Sequence, residues 1–459
     1  MNYIQIVDLV FLIATTILGI LTIHFAIFAV VGLFAKKKFP KTEKKLKYGV
    51  IIPARNEEKV IANLILSVKK NDYPQDKLQI FVIAHNCTDK TAEVARALGA
   101  TVYEYNNPEE CTMGYAFRYL FKQIEADYGT KNYDGFFLFN ADNILDKDYF
   151  SKMNDAFVYY NGERVITSCR NSKNFGANVM SACYGLYFME GCILECRGRS
   201  VLGCSTRVQG TGYVISSKVV ENGWNYVTLT EDWEFSADQV LHGRKIVYCD
   251  EAVFYDEQPT TNKIMWRQRL RWQKGHLLVF LTRTKELFKK LFKRTRKSEK
   301  SNKFSAYDMM VNTMPICVTT AAIFVLNWIF ILLTPLFMSN YLEIWRTHLI
   351  GFGWTLLQAY IPILFSAILI YVVEHKRIEG VPFWIKVLSA LFFPIFIFLS
   401  IPLEIICVFK KVGWKAIPHT DTTDFEKVNQ KLVNQPDTVE TDTASTSEAQ
   451  PETGTPTAN

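Results

Sequence analysis

Two blocks of the chain are almost continuously apolar, and the region between them alternates short apolar and polar runs. The apolar blocks cover residues 7–35 and 313–409. Because roughly 20 apolar residues cross a bilayer, the first block predicts one membrane-spanning helix, an anchor over residues 1–36. Its length and the lack of a basic flank before it argue against a cleaved signal peptide. The second block divides into three further segments, at about 313–338, 349–374 and 383–409.

Basic residues beside these segments predict their orientation. Seven lysines follow the first span, which places the next domain in the cytoplasm and the N-terminus outside. Three more crossings would leave the C-terminus outside, whereas Lys410, Lys411 and Lys415 place it inside. One segment is therefore expected to be re-entrant, and Pro394 and Pro402 favour the last one. The expected location is the plasma membrane, with several spans and a cytoplasmic catalytic domain.

The region after Lys47 has the period of alternating strands and helices. Short β-branched and aromatic runs predict four strands, Tyr48–Pro53, Gln79–Ala84, Thr101–Glu104 and Gly135–Phe139. Helical apolar spacing separates them, which predicts an α/β domain with a largely parallel sheet. Ligands bind such sheets beyond the carboxyl ends of the strands.

Polar residues follow three of these strands where a ligand would bind. They occupy positions 54–58, 85–89 and 140–143. At any one of these places a loop or a helix cap explains the residues equally well. Three such sets in chain order favour one shared cleft.

Composition sharpens this division of the chain. The 459 residues contain 52 Lys and Arg against 45 Asp and Glu, a net charge of +7. Residues 421–459 hold eight carboxylates and two lysines, a net of −6, so the rest of the chain carries +13. This polar, acidic tail is predicted to be disordered. A basic body beside a membrane suits anionic lipid or phosphorylated substrates rather than nucleic acid, and the ten cysteines show no zinc-binding spacing.

Five short motifs occur in a defined order between Val50 and His276, about half of the chain. They are Pro53–Glu58, Asn86–Asp89, Asn140–Asp142, Thr230–Asp232 and the QxxRW sequence Gln268–Trp272. On this scaffold the chain resembles membrane-integrated family 2 glycosyltransferases, the inverting group that includes cellulose, chitin, hyaluronan and poly-N-acetylglucosamine synthases. The resemblance implies a Rossmann-like GT-A domain over residues 46–260, then a QxxRW segment with interfacial amphipathic helices over 261–312, and transmembrane helices on both sides.

The resemblance also implies a set of donor-binding residues. They are Pro53, Glu57, Asp89, Asn140, Asp142, Gln268 and Arg271. The carboxylates Glu57 and Asp89 would accept hydrogen bonds from uracil N3–H and ribose hydroxyls. Asp142 would hold a divalent cation, Mg²⁺ or Mn²⁺, although Asn140 stands where relatives have a first Asp.

The sequence departs from the family pattern near the nucleotide. His85 replaces an Asp, and Cys111-Thr112-Met113 replaces a Lys-containing run. Another group must therefore neutralise the phosphates if this chain binds a nucleotide sugar.

The acceptor side follows from the later motifs. Asp232 would be the catalytic base, with Glu231 in support, and Thr230 is free to cap the helix that follows. Trp272 would stack on an acceptor sugar, and the loop at Gly210 and Thr211 would line the acceptor, although a simple turn explains that loop equally well. Without the resemblance, the QxxRW region would be interpreted as a basic amphipathic helix on the membrane surface.

The predicted function is processive transfer of a sugar from a UDP-sugar to a growing β-linked polysaccharide, coupled to export, with or without an accessory export subunit. The alternative is a single transfer to a lipid acceptor at the cytosolic membrane face. A third hypothesis, an inactive nucleotide-sugar sensor or channel subunit, is suggested by Asn140 and His85 and disfavoured by Asp142, Asp232 and the QxxRW residues. No motif marks the residues that would select one sugar.

Overall fold

The structure, a computed structural model, describes residues 1–293 and 300–433. These residues form one eight-stranded sheet with helices on both faces, and long apolar helices beside it. The strands are β1 (Tyr48–Ala54), β2 (Leu78–His85), β3 (Thr101–Tyr105), β4 (Gly135–Leu138), β5 (Ile144–Leu145), β6 (Val165–Ser172), β7 (Tyr213–Ser216) and β8 (Ile246–Asp256). The α-helices are α1 (Tyr3–Phe34), α2 (Ile61–Lys69), α3 (Thr91–Ala97), α4 (Met113–Asp127), α5 (Tyr149–Tyr159), α6 (Val179–Glu190), α7 (Gly198–Val201), α8 (Glu231–Leu241), α9 (Asn262–Phe292), α10 (Lys300–Thr313), α11 (Ile316–Leu332), α12 (Tyr341–Val373), α13 (Phe383–Phe398), α14 (Ser400–Phe409) and α15 (Phe425–Val433).

The sheet is parallel in its first half and mixed in its second. The strand order is β3-β2-β1-β4-β7-β6-β8-β5, with parallel pairing from β3 to β4. Strand β7 then runs antiparallel to both neighbours, and β5 pairs antiparallel with β8. The prediction of an α/β domain and of its first four strands is confirmed. The largely parallel pairing holds for those four strands and for β6 with β8, whereas β7 and β5 pair antiparallel with their neighbours.

The first strand, β1, is buried on both of its faces. Tyr48, Val50 and Ile52 belong to one hydrophobic cluster, with α2 and α5, and Ile51 belongs to a second cluster with α4 and α8. All four side chains are fully buried. A strand covered on both faces has apolar residues at consecutive positions rather than at alternate ones. The core therefore holds the carboxyl end of β1 inside the domain and sets the position of the polar loop that follows it.

Among the described residues, four apolar stretches of helix are long enough to cross a membrane, judged by length and composition. They cover Tyr3–Phe34, Ile316–Leu336, Tyr341–Val373 and Phe383–Phe409, within a residue or a few of the predicted spans except at the earlier start of the third. Most of their side chains are exposed to the surroundings of the protein rather than buried in it. The length and composition of these helices would allow them to lie in lipid.

The helix α1 packs tightly on the catalytic domain through two glycines. A π-helical segment, Gly191–Arg197, joins α6 to α7, and α1 crosses it closely. A Cβ on Gly32 would lie 2.0 Å from the Ile193 carbonyl oxygen, and one on Gly198 would lie 2.0 Å from that of Phe28. Only glycine permits this approach of the two backbones.

A buried ion cluster joins the apolar helices to the sheet. The Arg197 guanidinium lies 2.6 Å from Asp250 of β8 and 2.9 Å from Glu374 at the end of α12. Arg377 lies 3.1 Å from each of the same two carboxylates, and Lys36 lies 3.6 Å from Asp250. The cluster therefore ties the end of α1, the α6–α7 helix, β8 and the end of α12 together.

The last apolar stretch, α13 with α14, lies along the catalytic domain over its whole length. At its start, Pro382 packs on Gly176. In its middle, Arg269 of α9 donates 2.5 Å hydrogen bonds to the Phe396 carbonyl and the Ser400 hydroxyl, and near its end Lys274 donates to the Cys407 carbonyl at 2.9 Å. Both ends of this stretch thus contact the same domain.

The prediction of disorder from residue 421 onward is wrong for residues 421–433. This segment docks on the catalytic domain and contains α15. Phe425 and Val428 are buried there, and the Asn429 side-chain oxygen accepts from the Lys147 N–H at 2.9 Å. Because the tail is polar on average, its sequence did not predict this short apolar stripe. Residues 434–459 lie outside the described residues.

Candidate active site

A cleft lies at the carboxyl ends of β1, β2 and β4, under a cover formed by residues 414–419. It has two chambers, of about 130 and 150 Å³. The two share Met113, Asn140, Gln268, Arg271 and Trp414. The first chamber is otherwise lined by Pro53, Ala54, Arg55, Glu57, His85, Ala116, Ala141, Lys415, Ala416, Ile417 and His419. The predicted polar sets after β1, β2 and β4 therefore meet in one place.

Two asparagines shape the loops of the first chamber. Asn56 and Asn86 have φ of 58° and 53°, in the left-handed region that asparagine tolerates better than most residues. The Asn56 side-chain oxygen accepts from the Thr88 N–H at 2.8 Å, which binds the loop after β1 to the loop after β2. The Asn86 side-chain oxygen likewise accepts from the Asn107 N–H, and the Asn86 side-chain NH₂ donates to the Asn107 carbonyl.

His85 is held neutral in the first chamber. Burial and the nearby Arg55 guanidinium lower the pKa of His85 to about 4. Arg55 donates to His85 Nδ1 at 3.1 Å, and His85 Nε2 lies 2.7 Å from the Glu110 carbonyl oxygen. These partners assign the proton to Nε2. His85 stands where the family has an Asp, and its neutral imidazole contributes no negative charge there.

Glu57 meets a residue from the far end of the chain. Its buried carboxylate lies 2.9 Å and 3.0 Å from His419 Nδ1. Burial raises the pKa of Glu57, with the His419 hydrogen bond acting in the opposite direction. Burial lowers the pKa of His419, but the carboxylates of Asp142, Glu57 and Glu257 outweigh it and raise that pKa to about 9. An imidazolium thus sits among carboxylates at this end of the cleft.

Asp89 organises a loop in the structure. One carboxylate oxygen accepts from the Thr91 N–H at 3.1 Å and from its hydroxyl at 2.5 Å, and the other accepts from the Glu58 N–H at 3.2 Å. Asp89 does not line either chamber. Direct contact between Asp89 and a nucleotide stays a prediction. The hydrogen bonds that already occupy both carboxylate oxygens do not favour such a contact.

Asp142 is buried beside the first chamber. Its Oδ2 accepts from the Glu257 N–H at 2.8 Å and its Oδ1 from the Asn143 amide at 3.2 Å. Within the described residues, no three His, Cys, Asp or Glu side chains are grouped as metal ligands. A catalytic Mg²⁺ commonly takes one or two protein carboxylates and completes its shell with water and substrate phosphates. A single buried carboxylate beside the cleft fits that mode of binding.

Asp232 stands in the second chamber, in the first turn of α8. Burial raises the pKa of Asp232 and of Glu231, and the Arg271 guanidinium acts in the opposite direction on both. A carboxylate of raised pKa is a stronger base than an exposed one. Gly210, at φ +80°, faces it: a Cβ there would lie 3.4 Å from Asp232 Oδ2.

The QxxRW residues lie on α9 as predicted. Gln268 and Arg271 line both chambers, and Arg271 donates to the Leu229 carbonyl at 2.5 Å. The Gln268 Oε1 atom is buried and has no hydrogen-bond partner in the described part of the chain. Trp272 lines the second chamber, parallel to Tyr187 with ring centroids 6.4 Å apart.

Two threonines make contacts that the sequence did not predict. The Thr211 hydroxyl accepts from the Asn140 N–H at 2.9 Å and bonds Asn143, so Thr211 joins two loops and does not line the chambers. The Thr230 side chain makes no capping bond to α8 and packs on Gly275 instead. Acceptor contact by Thr211 stays a prediction.

Sequence reasoning missed the cover of the cleft. Trp414 stacks on the Arg55 guanidinium at 4.2 Å, and Lys415 and His419 line the first chamber. Arg170, Glu190 and Arg207 of the second chamber were missed as well. The only sequence signal was the run Trp414–His419, an aromatic, a lysine and a histidine directly after an apolar segment.

A mixed α/β sheet with carboxylates, an arginine and a tryptophan around a two-chambered cleft is the architecture of GT-A glycosyltransferases. The family described as "Glycosyltransferase like family 2" matches residues 46–275, half of the chain. The chain belongs to this family.

Three similar proteins illustrate the relationship. The probable glycosyltransferase YdaM of Bacillus subtilis is 25% identical over 267 residues, 55% of this chain and 62% of that protein. The β-monoglucosyldiacylglycerol synthase of Synechocystis is 23% identical over 243 residues, 49% of this chain and 47% of that protein. The match therefore spans less than two thirds of either relative. A mannosyltransferase of Pyrobaculum calidifontis, solved with GDP-mannose and Mn²⁺, shares the fold with a TM-score of 0.54 and 12% identity over 81% of this chain and 99% of that one.

Proposed function

We propose that this protein is a membrane-bound inverting glycosyltransferase that moves a sugar from a UDP-sugar to a growing β-linked polysaccharide, processively and with export. The observation that carries the proposal is the position of Asp232. Its carboxylate, of raised pKa, lies in a chamber that shares Asn140, Gln268 and Arg271 with the strand-end chamber. Donor and acceptor would meet at those shared residues.

The first chamber would bind the nucleotide. Glu57 would accept from the uridine, and the shared Asn140 would hydrogen-bond a ribose or sugar hydroxyl. Three basic side chains besides His419, those of Arg55, Arg271 and Lys415, line the chamber and would replace the lysine that relatives carry near the phosphates. Asp142 would hold Mg²⁺ or Mn²⁺, which when bound neutralises charge on the leaving diphosphate.

The second chamber would hold the acceptor. Asp232 would take the proton from the acceptor hydroxyl as its oxygen bonds the anomeric carbon and the bond from that carbon to UDP breaks. Attack from the face opposite UDP inverts the configuration, which gives a β-linkage from an α-linked donor. Glu231 would support Asp232 in its role as base, and Trp272 would stack on the acceptor ring.

A third cavity supports a polysaccharide acceptor. It has a volume of about 120 Å³ and shares Tyr187 and His276 with the second chamber. Its other lining residues include Gln273, Asn312, Thr313 and Glu404, from α9, α10 and α14. These polar groups would hydrogen-bond a hydroxyl-rich chain, beside the apolar Leu277, Met314, Pro315, Cys407 and Val408 of the same lining. The acceptor would leave past Trp272 towards the apolar helices.

The helix arrangement supports an odd number of crossings. With the catalytic domain in the cytoplasm, α1, α11 and α12 would cross the plasma membrane. The stretch α13–α14 would return to the side it came from, because the catalytic domain contacts it at Pro382, Phe396 and Cys407, which lie at its start, in its middle and near its end. Three crossings place the C-terminal segment in the cytoplasm, where it covers the cleft.

A single transfer to a lipid is the second candidate, favoured by one contact. Glu190, which lines the second chamber, accepts a 2.7 Å hydrogen bond from Ser366 of the apolar helix α12. The acceptor chamber therefore adjoins a lipid-facing helix. The relative from Synechocystis is named for a glycolipid product.

Product size distinguishes the two candidates. The purified full-length protein is first tested for UDP release with a panel of UDP-sugars, and the active donor is then supplied in radiolabelled form. We expect polymer that enzymatic digestion assigns as β-linked. A product that partitions with lipid and carries only one or two sugars would reject the polysaccharide proposal and establish the second candidate.

A further inference from the structure

A larger cavity lies away from both chambers, where three segments of the chain meet. Its volume is about 320 Å³. The walls are residues 172–177 after β6, residues 376–382 between α12 and α13, and residues 423–428 of the docked C-terminal segment, together with Tyr255. Cavities of this size accommodate small ligands. The proposed transfer reaction makes no use of this one.

The charged groups on its walls are mainly cations. Lys173, Lys376, Arg377 and Lys427 line the cavity, against the single carboxylate of Glu379. Arg377 is already paired with Asp250 and Glu374, at 3.1 Å each. Its charge is therefore compensated within the protein.

Two of the other cations lack such compensation. The Lys173 ammonium donates to two backbone carbonyls, those of Asp142 at 3.1 Å and Asp421 at 2.9 Å. Across the described residues, no carboxylate lies within ion-pair distance of either Lys173 or Lys427. Lys173 is half-buried and Lys427 exposed, on different walls of the same cavity. Two unpaired ammonium groups around one cavity create a positive potential that favours an anion.

The position of the cavity restricts the kind of anion. The segment 376–382 joins two long apolar helices, α12 and α13, so it lies where the apolar surface of the protein ends. The phosphates of anionic lipids lie at that level of a bilayer, and they attract lysine side chains. A soluble phosphorylated compound would present the same chemistry to the same groups.

We propose that this cavity binds a phosphate group, carried by an anionic lipid head group or by a free phosphorylated compound, between Lys173 and Lys427. Because Lys173 bonds both the Asp142 carbonyl and the C-terminal segment, an occupant connects the loop of Asp142 to residues 421–428. Binding at this site does not depend on the proposed polysaccharide synthesis.

Calorimetric titration of the full-length protein in a neutral detergent tests the proposal. The probes are short-chain phosphatidylglycerol, short-chain phosphatidylcholine and inorganic phosphate. We expect saturable binding of an anionic probe and none of phosphatidylcholine. Lys427→Gln should weaken that binding about tenfold, the effect of one lost charged contact. The matched control Lys122→Gln removes an exposed lysine of α4 and should leave binding unchanged.

The three arms of the titration identify the source of the phosphate. Binding of phosphatidylglycerol alone supports a lipid head group, and binding of inorganic phosphate as well supports a soluble phosphorylated ligand. The proposal is overturned if neither anion saturates, or if Lys122→Gln weakens binding as much as Lys427→Gln. Because Lys427 is exposed, its variant should fold, and an unchanged thermal unfolding midpoint without ligand verifies this.

Discussion

At the scale of single residues, the proposed function depends on where one carboxylate lies. Asp232 sits in the first turn of α8 beside Gly210 and Arg271, and burial raises its pKa. We predict that Asp232→Asn lowers kcat for sugar transfer by about 10²- to 10⁴-fold, the usual contribution of a general base. The KM for the donor should change little, because Asp232 lines only the second chamber. Steady-state UDP release measures both constants.

The matched control is Asp238→Asn on the same helix, where the carboxylate accepts from the Tyr226 hydroxyl at 2.7 Å outside the cleft. It should retain kcat within a few-fold. Since the base acts only when deprotonated, the wild-type rate should fall as pH drops through the raised pKa of Asp232. Equal loss of kcat in both variants would remove Asp232 from the role of base.

At the scale of elements, the C-terminal segment is held over the cleft by an ion pair. Carboxylates raise the pKa of His419 to about 9, above its ordinary value of 6.5. A raised pKa means that the pair stabilises the fold fully below pH 6.5 and loses this effect as pH rises through 9. We predict that His419→Gln lowers the free energy of unfolding at pH 6 by on the order of 1–3 kcal/mol, observed as a lower thermal unfolding midpoint, and has little effect above pH 9.5.

The comparison uses metal-free buffer, since a cation at Asp142 would alter the same carboxylates. His242→Gln, an exposed histidine at the end of α8, is the control and should cost little at either pH. A His419→Gln effect that is the same at both pH values would contradict an imidazolium in this pair.

At the scale of the whole molecule, the buried ion cluster holds the catalytic domain against the apolar helices. The Asp250 carboxylate forms ion pairs with Arg197, Arg377 and Lys36 at the same time. Breaking a buried pair leaves charge uncompensated, so we predict that Asp250→Asn destabilises the protein by about 3–5 kcal/mol. Asp148→Asn breaks an exposed pair with Lys152 and should cost at most about 1 kcal/mol. Thermal unfolding in detergent compares them, and similar losses would show that the cluster contributes no more than a surface pair.

Local patterns predicted the parts of the molecule that depend on neighbouring residues in the chain. The strands β1 to β4 were identified within one or two residues, because each is a short run rich in β-branched and aromatic residues, and β1, β2 and β4 are largely buried in the core. The placement of Glu57 and Asp142 beside one cleft also followed, since parallel strands release their loops at one edge. Asp89 and Thr211 were assigned to ligands by motif, yet local hydrogen bonds occupy both side chains.

The sequence by itself determined the apolar helices, the α/β domain between them and the order of its motifs, because periodicity and motif spacing are local properties. Only the tertiary structure brought Trp414, Lys415 and His419 over a cleft made by residues more than a hundred positions away. It alone also placed both ends of α13–α14 on one domain. These features arise from long-range packing and charge pairing, in which the partner of each residue is set by the fold and leaves no periodic signal in the chain.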